Sequence, residues 1–185
     1  SISSTTTYYV DATDNGCTTT SRTSILATVN SIPSAPTGTS SQSFCSANSP
    51  TVNSLSATGS TILWYSASSG GSSLSTSTSL TNATHYYATQ TVSGCESTTR
   101  FDVTATVTTN PTVATTTPGS RCGTGTVVLS ATASAGTLTW YDASSGGTLL
   151  GSLTSYTTPS ISSNTTYYVE ATNNGCLSAS RTSVL

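Results

Sequence analysis

Charge is the scarcest commodity in this chain. Among 185 residues there are four arginines, no lysine, six acids and one histidine, so that charged side chains make up 5% of the sequence. Proteins that bind nucleic acid or anionic membrane surfaces neutralise phosphates with arrays of Lys and Arg, and four dispersed arginines cannot form such an array. Those partners are excluded. Long hydrophobic runs are missing as well. Ile62-Leu63-Trp64-Tyr65 is typical of the apolar stretches present, far short of the ~20 residues that cross a bilayer as a helix. Helical periodicity is absent, which argues against an α/β chain.

Metal-binding patterns are missing too. There is no Cys-x-x-Cys and no His-x-His, so the five cysteines do not read as a zinc site. Nothing implies a cofactor. His85 stands alone and its counterparts in the repeats described below are Thr7 and Thr166; no Gly-x-Ser-x-Gly elbow accompanies it, which removes a Ser-His-Asp hydrolase. The scattered acids suggest no glycosidase pair. Asp11 to Gly16 has some features of a calcium loop, but the corresponding segments Thr89 to Gly94 and Glu170 to Gly175 lose most of the oxygen ligands, and a hairpin turn explains all three. No enzyme is expected. Asn82-Ala83-Thr84 and Asn164-Thr165-Thr166 fit the glycosylation triplet, a pattern that arises by chance in a Thr-rich chain.

What is present is repetition. Cys122, Trp140-Tyr141, Tyr167-Tyr168 and Asn174-Gly175-Cys176 reproduce Cys45, Trp64-Tyr65, Tyr86-Tyr87 and Ser93-Gly94-Cys95, and a shorter copy runs through Tyr8-Tyr9 to Asn15-Gly16-Cys17. From Tyr8 to Tyr86 is 78 positions and from Tyr86 to Tyr167 is 81, the length of a small domain and longer than a solenoid repeat. The expected organisation is residues 1–29 as the C-terminal part of a truncated repeat, 30–108 as a complete repeat and 109–185 as a nearly complete one. Ser1-Ile2-Ser3-Ser4 matches Ser160-Ile161-Ser162-Ser163 in mid-repeat, so the sequence reads as an excerpt of a longer chain.

Ser and Thr exceed a third of the residues, yet Thr, Val, Tyr and Trp alternate in short runs, the period-2 mark of half-buried strands. In Tyr8 to Thr13, Tyr8, Val10 and Ala12 share one face, while Tyr9, Asp11 and Thr13 share the other. Asn15-Gly16, Ser93-Gly94 and Asn174-Gly175 supply positive-φ hairpin turns. Further strands are expected at Thr61–Ser66, around Leu74, near Leu80, over Thr84–Thr91 and over Ser97–Thr108. Seven or so strands with turns every 8 to 12 residues predict an all-β chain of tandem immunoglobulin-like sandwiches.

Cysteines in so polar a chain fit an oxidising, extracellular setting. If early and late cysteines lie at one pole of each sandwich, Cys45 pairs with Cys95 and Cys122 with Cys176, stapling each repeat and leaving Cys17 unpaired by truncation; the alternative ties neighbours through Cys17–Cys45 and Cys95–Cys122. Trp64 and Trp140 are in phase with Ile62 and Leu138 and are expected in the core. Tyr65 and Tyr141 point the other way and are the candidates for surface contact. Arg22, Arg100 and Arg181 follow each late cysteine by five positions, with Asp11 or Glu170 as candidate cross-strand partners.

Taken together, the cysteine before an early strand, Trp-Tyr followed by Asp/Ser-Ala-Ser-Ser-Gly-Gly, Thr-Tyr-Tyr-Val, Asn-Gly-Cys and Ser-Arg-Thr closely resemble the Ig-like repeats of large cell-surface proteins of Bacteroidota, among them gliding-motility adhesins of the SprB type. The resemblance implies type IX secretion, display outside the outer membrane, and a filament that touches surfaces or polysaccharide while the gliding machinery moves it. It brings no catalytic residues. The expected function is a structural stalk providing reach and mechanical resistance, with neighbouring repeats of the same chain as partners. A polysaccharide-binding module and a non-catalytic accessory domain of a secreted enzyme are the other readings.

Overall fold

The computed structural model describes all 185 residues and is built from strands joined by turns, with two short 3-10 segments, Ser46–Asn48 and Val52–Ser54. It divides into two compact units. One comprises Ser1–Ser40, Ser56–Leu74 and Tyr86–Val103, and the other Ser41–Leu55, Ser75–His85 and Thr104–Leu185. This division does not follow the repeats in the sequence. Part of the reason is local: Ser41–Cys45 lies parallel to Thr104–Thr108, with Cys45 opposite Thr108, and Leu80 and Val52 are drawn in by backbone bonds to Pro50 and Thr78.

In the first unit, Thr6–Val10 pairs antiparallel with Thr23–Ala27, Tyr8 facing Ile25. The intervening chain folds into a tight hairpin, Thr13–Asp14 against Cys17–Thr18, through Asn15 and Gly16 at φ 47° and 85°. These are the two positive values a type I′ turn requires, and the reason Asn-Gly stands there. Leu63–Tyr65 pairs antiparallel with the end of Thr84–Thr89, Trp64 opposite Ala88 and Tyr65 opposite Tyr87. Thr91–Val92 and Cys95–Glu96 form a second tight hairpin around Ser93 and Gly94. Trp64 is buried.

The second unit contains a sandwich. Val113–Thr117, Val128–Ala133 and Ser155–Thr157 form one antiparallel sheet. Facing it are Leu149–Gly151, Thr137–Tyr141 and Tyr167–Asn173, with Cys176–Leu177 and Thr182–Val184 both pairing along the far side of Tyr167–Asn173. Alternation does the sorting: Tyr167, Val169 and Ala171 are buried, whereas Tyr168 and Glu170 are half-buried on the other face. The core joins Leu129 and Ala131 of the first sheet to Leu138, Trp140, Tyr167, Val169, Ala171 and Val184 of the second. Trp140 is fully buried, lies 5.9 Å from the Tyr156 ring and donates its indole N–H to the Leu153 carbonyl at 2.8 Å, which satisfies the one polar atom that burying a Trp must satisfy.

Strands expected around Leu74 and near Leu80 do not form. No strand lies between Tyr65 and Thr84, and the two leucines are held by single backbone bonds, Leu74 N–H to Trp64 O at 2.7 Å and Leu80 N–H to Pro50 O at 2.9 Å. The serines between them turn inward on themselves: Ser75 Oγ and Ser77 Oγ are 2.8 Å apart, and the Ser77 N–H donates to Ser75 Oγ. Such local side-chain bonds compete with a strand ladder.

Candidate functional site: the Cys45–Cys176 joint and the arginine clamps

Cys45 is bonded to Cys176, with the Cα atoms 5.5 Å apart across a sequence separation of 131. The expected pairs Cys45–Cys95 and Cys122–Cys176 do not form, nor do Cys17–Cys45 and Cys95–Cys122. Cys17, Cys95 and Cys122 are free thiols. The two cysteines of the last repeat sit at opposite poles of its sandwich. Cys176 faces Asn173 at the far end of Tyr167–Asn173, whereas Cys122 is close in sequence to Gly125, which bridges to Ile161 ahead of the near end. At ~3.3 Å per residue that strand alone separates them by about 20 Å, and a disulfide needs Cα atoms within about 7 Å. Cys45 meets Cys176 instead because its parallel pairing with Thr104–Thr108 carries it to the point where the chain leaves that strand for Asn110.

Asn110 brackets the joint. Its Oδ1 accepts the Ala47 N–H at 2.8 Å and the Ser46 hydroxyl at 3.2 Å, its own N–H donates to Ser46 Oγ at 3.2 Å, and its Nδ2 donates to the Leu177 carbonyl at 2.7 Å. One side chain thus ties the residues following Cys45 to the residue following Cys176. Asn110 stands at the boundary expected between the repeats 30–108 and 109–185, next to Pro111. Asn30, three residues ahead of Pro33 in the earlier linker, makes a comparable bond, donating through Nδ2 to the Ser93 carbonyl at 2.8 Å.

Two of the recurring arginines, Arg100 and Arg181, hold the Ala-Ser-Ser-Gly turns. Arg181 donates to the carbonyls of Ala143 at 2.8 Å and Gly146 at 2.6 Å, lies 3.3 Å from the Tyr141 ring centroid, and has Glu170 3.9 Å away. Arg100 repeats the arrangement, donating to the Ala67 carbonyl at 2.6 Å and lying 3.5 Å from the Tyr65 ring centroid. Arg22 pairs with Asp11 at 2.9 Å. Asp11 and Glu170 are therefore the cross-strand partners the sequence suggested, and a guanidinium over a tyrosine face adds a cation–π attraction. Asp142 closes its turn by accepting the Thr148 N–H at 2.6 Å, a bond that holds its carboxyl below the usual range.

Neither candidate for surface contact, Tyr65 or Tyr141, is freely exposed. Tyr65 is buried, donates to Glu96 Oε1 at 2.7 Å, and its hydroxyl is pushed up chiefly by that bond to a carboxylate, with burial adding to it; Tyr141 is half-buried beneath Arg181. Alternation sets both on the face opposite Trp64 and Trp140, but it could not show the arginine that covers that face. A polar cleft of about 320 Å³ opens elsewhere in the second unit, lined among others by Ser120, Arg121, Thr124, Ser162 and Asn164.

An all-β chain with a two-sheet sandwich, a disulfide and arginine-clamped turns that recur along the sequence defines a protein built from immunoglobulin-like modules. Residues 33–108 and 109–185 each match the family described as Ig-like domain, CHU_C associated, and the chain belongs to that family. No curated protein matches it. No helix is long and apolar enough to cross a membrane.

Proposed function

We propose that the chain is a stalk segment of a large secreted adhesin of the bacterial cell surface, a part that works by reach and by resistance to tension. The single observation that carries this reading is the Cys45–Cys176 bond, which ties one family repeat covalently to the next. In a serial array, tension entering at one end passes from Cys45 to Cys176 through the bridge, and the repeat residues between them are spared it. Closing so long a loop also removes about 5 kcal/mol of unfolded-state entropy in the chain-entropy model. The arginine clamps serve the same end by fixing turns that would otherwise be the first to fray. Type IX export, extracellular display and a place in the gliding apparatus follow from the likeness of the repeat motifs to gliding-motility adhesins, and the absence of catalytic work belongs to the same reading.

The rival, a module that grips polysaccharide, rests on the polar cleft at Arg121 and Asn164. Two measurements separate the readings. Antibodies against the chain should label intact producing cells from outside, and the purified chain should show no affinity for surface polysaccharides. Labelling only after lysis contradicts the stalk. Glycan binding that is lost in Arg121→Ala with Asn164→Ala moves the function to the cleft.

A further inference from the structure

The bond between Cys45 and Cys176 follows a rule of position. Cys45 is the early cysteine of the repeat 33–108, and Cys176 is the late cysteine of the repeat 109–185. The repeat 33–108 therefore offers its early thiol to the late thiol of the repeat that follows it. By the same rule the three thiols left free are not spares. Cys122 is an early cysteine awaiting a following repeat, and Cys17 and Cys95 are late cysteines awaiting preceding ones. We propose that Cys45–Cys176 is one rung of a ladder of repeat-to-repeat disulfides, in which Cys122 takes the late cysteine of a further repeat of this family and Cys17 and Cys95 each take an early one.

Three observations carry the proposal beyond the thiols themselves. Their positional counterparts are bonded in this structure. Cys122 is exposed, at the pole of its sandwich opposite to Cys176, so a partner within its own repeat is out of reach. The tip carrying Cys95 is already bracketed as the tip carrying Cys176 is: Asn30 donates to the Ser93 carbonyl as Asn110 donates to that of Leu177, and the Cys95 thiol rests 3.9 Å from the Asn30 carbonyl. The chemistry is thiol oxidation. Each new rung costs two thiols their two protons and two electrons, taken up by a disulfide oxidant that leaves as the dithiol.

The ladder rests on the stalk reading and deepens it. Cys122 lies inside the loop closed by Cys45 and Cys176, so successive rungs overlap. Between Cys122 and Cys176 the array would be crossed by the backbone and by two bridges, and no single backbone cut could part it.

The test extends the full chain after Leu185 by a second copy of residues 109–185, lets it oxidise with a glutathione disulfide buffer, isolates the monomer and maps its disulfides by mass spectrometry without reduction. The expected result is a retained Cys45–Cys176 peptide pair, Cys122 joined to the late cysteine of the added copy, and the added early cysteine alkylated as a thiol. In the same chain, Cys176→Ser should leave Cys45 as a thiol and the Cys122 rung in place. Cys122 recovered as a thiol, or joined to Cys176, overturns the ladder. If Cys45–Cys176 persists in that case, the stalk reading stands on its single bridge; if it too is missing, both fall.

Discussion

Asn110 and Leu177 are joined by a 2.7 Å hydrogen bond from the Nδ2 of the one to the carbonyl of the other, while the same amide side chain accepts from Ala47 and Ser46. The chain around Asn110 is therefore held within the second unit by bonds on both sides, and the Cys45–Cys176 disulfide closes a connection that is already ordered.

Replacing Asn110 with Ala should loosen that joint without unfolding the sandwich. The lost bonds lie at the surface, where water replaces part of each, so a loss of about 1–2 kcal/mol is expected. Urea unfolding of the oxidised chain measures it. A loss near zero would mean that the disulfide alone sets the joint.

Trp140→Ala should cost far more. The side chain is fully buried against Tyr156 with its N–H bonded to Leu153, and truncations of this size in cores cost about 3–5 kcal/mol. The midpoint of thermal or denaturant unfolding is the measurement. An effect under about 1 kcal/mol would contradict the core assignment.

Acid should weaken the last repeat through Asp142. Its folded carboxyl is held below the ordinary value by the backbone bond from Thr148, so the contribution is complete above the unfolded-state value of roughly 4 and is lost as pH falls through the lower folded one. Asp142→Asn should flatten this part of the pH dependence, as followed by unfolding between about pH 2 and 5. The repeat 33–108 has Ser66 at this position and lacks the effect.

Hydrogen exchange should separate the first ribbon from the later repeats. Tyr8 and Val10 are 49% and 51% exposed, whereas their counterparts Tyr167 and Val169 are 7% and 0% exposed. Amides of Thr6–Val10 and Thr23–Ala27 are expected to exchange well ahead of those in Thr137–Tyr141 and Tyr167–Asn173. Equal protection would show that the ribbon is as stable as a closed sandwich.

Much of this architecture could be read from residues alone. Tyr-Tyr-Val alternation located the strand of Tyr167, Asn174-Gly175 its hairpin, and the phase of Leu138 placed Trp140 inside, because each is a local rule of period or turn chemistry. The disulfide was not legible in this way. Period and spacing fix what lies on one strand, but they do not show that Ser41–Cys45 runs parallel to Thr104–Thr108, and that pairing is what carries Cys45 to the joint. The cover over Tyr65 escaped for a similar reason, since Arg100 reaches it from a distant part of the sequence.

Pulling single chains by their ends, with and without reductant, measures whether Cys45–Cys176 carries tension past the repeats. The whole chain stretched is about 630 Å long at ~3.4 Å per residue. With the bridge intact, about 180 Å of it lies in the path of the force, and reductant should release about 440 Å more. Equal final extensions in the two conditions would mean that the bridge bears no load.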